Sequence, residues 1–363
     1  MFSHRLSRIV AVTTIALAAV LSTTTLRAQG LTKIRLLMPV TQVDEAYAPF
    51  MIAKELGYFQ GEGLDVAILP TAGTKNALIQ IAANNAEVAV LSPVDLMTGQ
   101  QPPNDMQVQL FYDIYYKNIW SISVLPDSPI RSLADLKGKK IGVASMGSSG
   151  VSMGKAFLAK AGLEMGRDAQ FVAIGAGGQG AAALRSKAVD AVVYWDAMIT
   201  RLALAGLKLR PLAVDEKLRD LPDTCLGTTN AFMAKNPKAI IGIGRALAKG
   251  YVFNQANPEA AVRITWKHFP ESRPRAVSES QALRDAVTIN QSRMAIWSSP
   301  KTGGKFGVFI EADFRSLEAF AKQNGLLDPK ADVSMAKLYT EKFVDDYGKF
   351  DRDAVVAQAK AWK

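Results

Sequence analysis

Three glycine- or serine-rich segments stand where an apolar run ends and a helix-forming run begins. They are Thr71-Ala72-Gly73-Thr74, Gly147-Ser148-Ser149-Gly150 and Gly175-Ala176-Gly177-Gly178-Gln179-Gly180. Backbone N–H groups in the first turn of a helix have no partner within it, and the helix dipole adds partial positive charge there. Ser148 and Ser149 add hydroxyls. Such segments suit a carboxylate, sulfonate, nitrate or phosphate, and they also make ordinary turns and caps. Tyr112, Asp113, Tyr115, Tyr116, Trp120, Tyr194, Trp195 and Asp196 lie near the same run ends. Rings and acids of this kind build an apolar pocket with a few placed polar groups. Trp195 and Asp196 sit at the tip of a run rather than inside it.

Other chemistries fail on residue supply. The 363 residues hold one cysteine, Cys225, and two histidines, His4 and His268. That excludes a disulfide framework, a CxxC pair and a cysteine-rich zinc or iron–sulfur centre. With only His268 available, no Ser-His-Asp set can be assembled. Around Gly154-Lys155 the P-loop pattern breaks, because Ser149 stands where its first glycine belongs and Ala156 where a magnesium-binding hydroxyl belongs. The 175–180 segment does match GxGxxG, with Asp196 near the ribose-binding distance. The helix after it is very short, however, and the motif lies mid-chain. Catalytic residues, metal and cofactor are all expected to be absent.

The balance of 49% apolar to 21% charged residues is that of a folded chain with a real core. The first thirty residues read differently. Arg5 and Arg8 precede the apolar run 9–21, and a small polar stretch leads to Ala28-Gln29-Gly30. This is the layout of a cleaved export signal, too short in its apolar part for a stable membrane anchor. Cleavage after 28 or 30 lowers the net charge from +10 to +7. No cysteine lies nearby to carry a lipid. The remaining positive balance is spread along the chain, without the Lys/Arg-rich stretches of a nucleic-acid binder.

The rest of the chain predicts alternating strands and helices. Strands are expected at 33–39, 64–69, 87–91, 108–112, 140–145, 171–174 and 190–195, with helices between them. From 237 onward the pattern is mainly helical, with helices near 240–253, 279–297, 314–324 and 354–362. Strand–helix–strand order argues for α/β units with largely parallel sheets. Two such units and a helical C-terminal tail result.

The segment Ala48-Pro-Phe-Met-Ile-Ala-Lys-Glu-Leu-Gly-Tyr-Phe59, followed by Glu62-Gly-Leu-Asp-Val66, resembles the opening of the nitrate/sulfonate/taurine-type substrate-binding proteins of ABC importers. Ser132-Leu-Ala-Asp-Leu-Lys-Gly-Lys-Lys-Ile-Gly-Val143 is similar to the start of their second lobe. Val189-Asp-Ala-Val-Val-Tyr-Trp195 is similar to a strand that often ends Trp-Glu-Pro, here Trp195-Asp196-Ala197. The resemblance implies a two-lobe periplasmic-binding-protein fold of type II. The first lobe would take 31–118 and the tail 236–363, the second 126–222, with crossover hinges at 119–125 and 223–235. By matching position it implies ligand contacts from Gln42, Asp44, Tyr47, Gly73, Thr74, Ser92, Tyr116, Gly147, Ser148, Ser149, Gly177, Gly178, Trp195 and Asp196. The implied protein is a monomeric periplasmic receptor that hands a small anion, bearing a ring in some cases, to a membrane permease. The rival on the same fold is a thiamine-pyrimidine synthase-like enzyme or a precursor-binding protein. Those enzymes rely on a cysteine-rich iron motif and a histidine, which Cys225 alone does not supply. A ligand sensor for a signalling partner is indistinguishable at this level.

Overall fold

Among the described residues the apolar runs form ten strands. They are β1 Thr32–Met38, β2 Leu64–Pro70, β3 Val88–Leu91, β4 Val108–Tyr115, β5 Trp120–Val124, β6 Lys140–Val143, β7 Gln170–Ala173, β8 Ala191–Trp195, β9 Arg210–Pro211 and β10 Thr224–Thr229. The coordinates are a computed structural model that describes residues 30–214 and 216–363. The expected export signal falls outside the described residues apart from Gly30. Thr32–Lys363 form one unit.

Two five-stranded sheets organise this unit, in the orders β2-β1-β3-β10-β4 and β7-β6-β8-β5-β9. β1 runs parallel to β2 and β3, and β6 parallel to β7 and β8. β10 runs antiparallel to β3 and β4, and β5 antiparallel to β8 and β9. These two strands lie in the segments 119–125 and 223–235. The chain leaves β4 at Tyr115 and starts β5 at Trp120, then leaves β9 at Pro211 and starts β10 at Thr224. Each enters its sheet from the side where the parallel strands end, so each must run the opposite way. The fold is therefore two α/β lobes, joined where 116–119 and 212–223 pass between the sheets.

Each sheet buries its apolar residues under helices. All four residues of β3 are buried, as are Ile34, Leu36 and Met38 of β1. The helix Ala48–Glu55, opened by Pro49 near its first turn, packs on the long helix Pro237–Ala256. Gly250 has no room for a side chain there, since a Cβ would meet the Pro49 carbonyl carbon at 3.0 Å. The tail is helical as its periodicity predicts, with Glu279–Met294, Glu311–Gln323 and Arg352–Ala361. Tyr347 of the tail donates to Phe111 O at 2.7 Å, which ties the tail to the first lobe. Cys225 is buried in β10, its Sγ 3.4 Å from Asp113 Oδ1. Burial, then the Asp113 carboxylate, push that thiol well above its ordinary pKa. No helix among the described residues is long and apolar enough to cross a membrane.

Candidate functional site

In open α/β sheets ligands bind beyond the C-terminal ends of parallel strands. Here two such ends face each other around a cavity of about 450 Å3. Pro39 to Gln42 follow β1, and Ala72 to Thr74 follow β2. Ala144, Ser145, Ser148 and Ser149 follow β6, Gly175 to Gln179 follow β7, and Trp195 ends β8. The two antiparallel strands bring their first residues to the same place, Trp120 from β5 and Thr224, with Asp223, from β10. Asp44, Tyr47, Met198 and Arg201 complete the polar and apolar walls.

The glycine-rich segments meet across the lobes, backbone to backbone. Lys75 N donates to Gly147 O at 3.1 Å, and Ser145 Oγ donates to Ala72 O at 2.5 Å. A Cβ on Gly73 would lie 2.5 Å from the Gly147 carbonyl carbon and 2.7 Å from Ser148 N. No side chain larger than hydrogen fits. Three helices start at the cavity, at Thr74, Ser149 and Gly178. Ser148 Oγ is partly spent as a cap on Gly150 N at 3.1 Å, and Thr74 Oγ1 donates to Asp95 at 2.6 Å. The GxGxxG match finds a packing explanation. Gly180 is forced by the Tyr194 ring, whose Cζ a Cβ would approach to 2.9 Å, and Tyr194 Oη donates to Gly175 O at 2.5 Å.

Charged side chains tie the lobes together beside the cavity. Arg201, from the helix Asp196–Leu204, reaches Asp44 at 3.0 Å and Glu45 at 2.6 Å on the first lobe. Arg293, from the tail helix, pairs with Asp196 at the start of that second-lobe helix and lies over the Tyr115 ring. Ser152 of the second lobe donates to the buried Asp95 of the first at 2.8 Å. Burial raises the Glu45 carboxyl to about 7 against the pull of Arg201. Burial likewise raises Asp223 to about 7, although Thr224 and Arg293 hold it down.

These two raised values set a pH dependence. An acid whose folded pKa exceeds its unfolded value keeps its proton in the folded state after the unfolded chain has lost it. Stability from Glu45 and Asp223 is thus greatest below about pH 4, falls as pH rises, and levels off above about 7. Surface acids such as Glu87 and Glu318, lowered by their cations, act the other way, so the comparison of variants carries the test. Urea unfolding at pH 5 and 8 should show a smaller pH 8 deficit in Asp223→Asn than in the parent. Equal deficits would assign the effect elsewhere.

Of the positions expected to touch ligand, Gln42, Asp44, Tyr47, Gly73, Thr74, Ser148, Ser149, Gly177, Gly178 and Trp195 lie on the lining. Four stand off it. Ser92 is buried at the start of the helix Pro93–Gly99. Tyr116 is buried with its hydroxyl donating to Val308 O of the tail at 3.0 Å. Gly147 makes the lobe contact to Lys75, and Asp196 is taken by Arg293. Sequence reasoning passed over Arg201, Asp223 and Met198, all on the lining. Nothing local marks them. Among the described residues no group of three or more His, Cys, Asp or Glu is placed to hold a metal ion.

Known proteins resemble this chain in sequence or in architecture. The riboflavin-binding protein RibY of Chloroflexus aurantiacus is 23% identical over 305 residues, covering 82% of each chain. The alkanesulfonate-binding protein SsuA of Xanthomonas axonopodis pv. citri, solved bound to MOPS, superposes with a TM-score of 0.62. It is 17% identical, and the match covers 86% of this chain and 99% of that one. The nitrate-binding protein NrtA of Synechocystis PCC 6803 superposes with a TM-score of 0.63, at 15% identity, over 92% of this chain and 99% of that one. All three are named as binding proteins. A family model described as NMT1/THI5 like matches residues 45–261, which take in most of the strand ends of both sheets and most of the cavity wall. With a match over more than half its length, this chain belongs to the NMT1/THI5-like family.

Proposed function

We propose that this protein is the exported, periplasmic solute receptor of an ABC importer, which closes two lobes on a small ligand and presents it to a membrane permease. The observation that carries this reading is the cavity itself, walled in equal measure by strand ends of both sheets. A site of that kind is completed only when the lobes meet, so ligand binding and closure are one event. The hinges of this motion are the two passages between the sheets. The receptor acts as a monomer, without nucleic acid, and performs no chemistry on its cargo. The signal is removed on export. The thiamine-pyrimidine synthase-like alternative lacks support in the wall, which offers no cysteine or histidine.

Of the ligands the sequence suggests, a ring-bearing one suits the cavity best. Pockets of about 300–1,000 Å3 typically hold a drug-sized ligand, and nitrate would leave most of about 450 Å3 to water. Trp195 is half-buried on the lining and meets Trp120 edge-on, with ring centroids 6.0 Å apart. The riboflavin in RibY's name and the MOPS bound to the Xanthomonas SsuA are both ring compounds. The test is a thermal-shift screen followed by calorimetry and recovery of the ligand. A genuine ligand at ~100 times its Kd adds roughly 2.7 kcal/mol and comes back unchanged. Trp195→Ala should weaken it several-fold to about tenfold, since stacking contributes ~0.5–1.5 kcal/mol beyond area. Ligand recovered in altered form at catalytic yield would sink the receptor reading.

A further inference from the structure

The lining carries polar groups that the protein leaves open to the cavity, and together they describe the ligand's edge. Asp223 is 6% exposed and lies on the cavity wall. Its Oδ1 accepts from Thr224 Oγ1 at 2.8 Å, and among the described residues its side chain has no other hydrogen bond and no ion pair. Tyr47 is also 6% exposed and on the wall. Among the described residues its hydroxyl has no hydrogen-bond partner, while burial raises its pKa, so it stays protonated and able to donate. An acceptor and a donor thus open onto one cavity, where water serves them until a ligand fills both roles.

The charges argue the sign. Arg201 is the only lysine or arginine on the lining among the described residues, and Asp44 and Glu45 share it. Arg293 lies behind the wall rather than on it and gives one nitrogen to Asp196. The acidic side chains on the lining are Asp44, which takes Arg201, and Asp223, which has no cation of its own there. Helix starts at Thr74, Ser149 and Gly178 supply only partial positive charge. A bound anion would meet no unshared cation on the lining itself.

We propose that the ligand is an uncharged or cationic planar heterocycle whose edge carries an N–H beside a carbonyl or ring nitrogen. The N–H donates to Asp223, the neighbouring acceptor receives the Tyr47 hydroxyl, and the ring lies against Trp195. This rests on the receptor reading above and narrows it, away from the small anions that the helix starts alone suggested. Asp223 and Tyr47 become the residues that set specificity.

Two sets of compounds test this on the intact mature protein. One set is lumichrome, 2-aminobenzimidazole and cytosine; the other is nitrate, taurine, MOPS and naphthalene-2-sulfonate. The expected result is a raised unfolding temperature with a member of the first set and none with the second. For a stabilising heterocycle, the analogue methylated on the donating nitrogen should bind at least tenfold more weakly, because a site built for a donor rejects ligands lacking it. Asp223→Asn and Tyr47→Phe should each cost about tenfold in calorimetric affinity, with folding confirmed by urea unfolding. The methylated analogue keeps the test decisive even where a variant does not fold. Stabilisation by the anions alone, or unchanged affinity on methylation, overturns the ligand class and leaves the receptor reading standing. Stabilisation by neither set overturns both.

Discussion

Gly73→Ala should raise the ligand's Kd about a hundredfold while leaving a folded protein. The Cβ it adds lies 2.5 Å from one backbone atom of the second lobe and 2.7 Å from another. Backbone cannot swing aside as a side-chain tip does, so the lobes must stay apart at this point. Separation breaks the Lys75 N to Gly147 O and Ser145 Oγ to Ala72 O bonds. Two hydrogen bonds at ~0.5–1.5 kcal/mol each, with the imperfect burial that follows, come to roughly 3 kcal/mol, or about a hundredfold. Gly73 also has φ +120°, which costs alanine something in any state of the lobes. Gly162→Ala is the control, with φ +71° and open space around it. It should lower stability and leave affinity alone. Calorimetry and urea unfolding on both variants decide the matter; equal affinity in Gly73→Ala and the parent would remove the lobe contact from the binding mechanism.

Arg201→Met should weaken binding about a hundredfold at pH 8 and much less at pH 5.5. Glu45 is fully buried and Asp44 nearly so, and Arg201 is their common cation from the opposite lobe. Burial works against the Arg201 charge, yet the two carboxylates outweigh it and raise its pKa. Removing one partner of a buried pair typically costs ~3–5 kcal/mol, because the other charge is left uncompensated. That cost falls on the closed state, where water cannot reach Glu45. Burial raises the Glu45 carboxyl, and losing Arg201 raises it further, so acid neutralises it and relieves the loss. The double variant Glu45→Gln/Arg201→Met should recover much of the affinity at pH 8. A pH-independent defect, unrelieved by Glu45→Gln, would mean that Arg201 touches ligand directly.

The local parts of this design are legible in the sequence, and the long-range parts are not. Gly73, Ser148, Ser149, Gly177 and Gly178 could be read because turn chemistry and the switch from strand to helix are written in a few adjacent residues. The strands β5 and β10 were harder. Trp120-Ser-Ile-Ser-Val124 is short, and it reads as a linker until a partner far along the chain, Val192 to Trp195, is brought beside it. Arg201 is one arginine on an ordinary amphipathic helix, and its partners lie 156 and 157 residues away. Asp223 has only Thr224 beside it to suggest a role. Tyr116 and Asp196 stand off the lining for the opposite reason. Each directly follows a strand, β4 or β8, as a ligand contact would, but Val308 and Arg293 of the tail take their side chains.

Cys225 has a practical consequence for watching the lobes move. It is the chain's single cysteine, sealed in β10 and disinclined to form a thiolate, which is the form that maleimide dyes attack. The parent protein is therefore blind to such dyes while folded, without any need to delete a native thiol. Ile79 and Leu204 are exposed, on first-lobe and second-lobe helices. Cysteines placed at those two positions would be the only ones to take a fluorophore pair, and the distance between the dyes would then report each closing of the lobes on a single molecule.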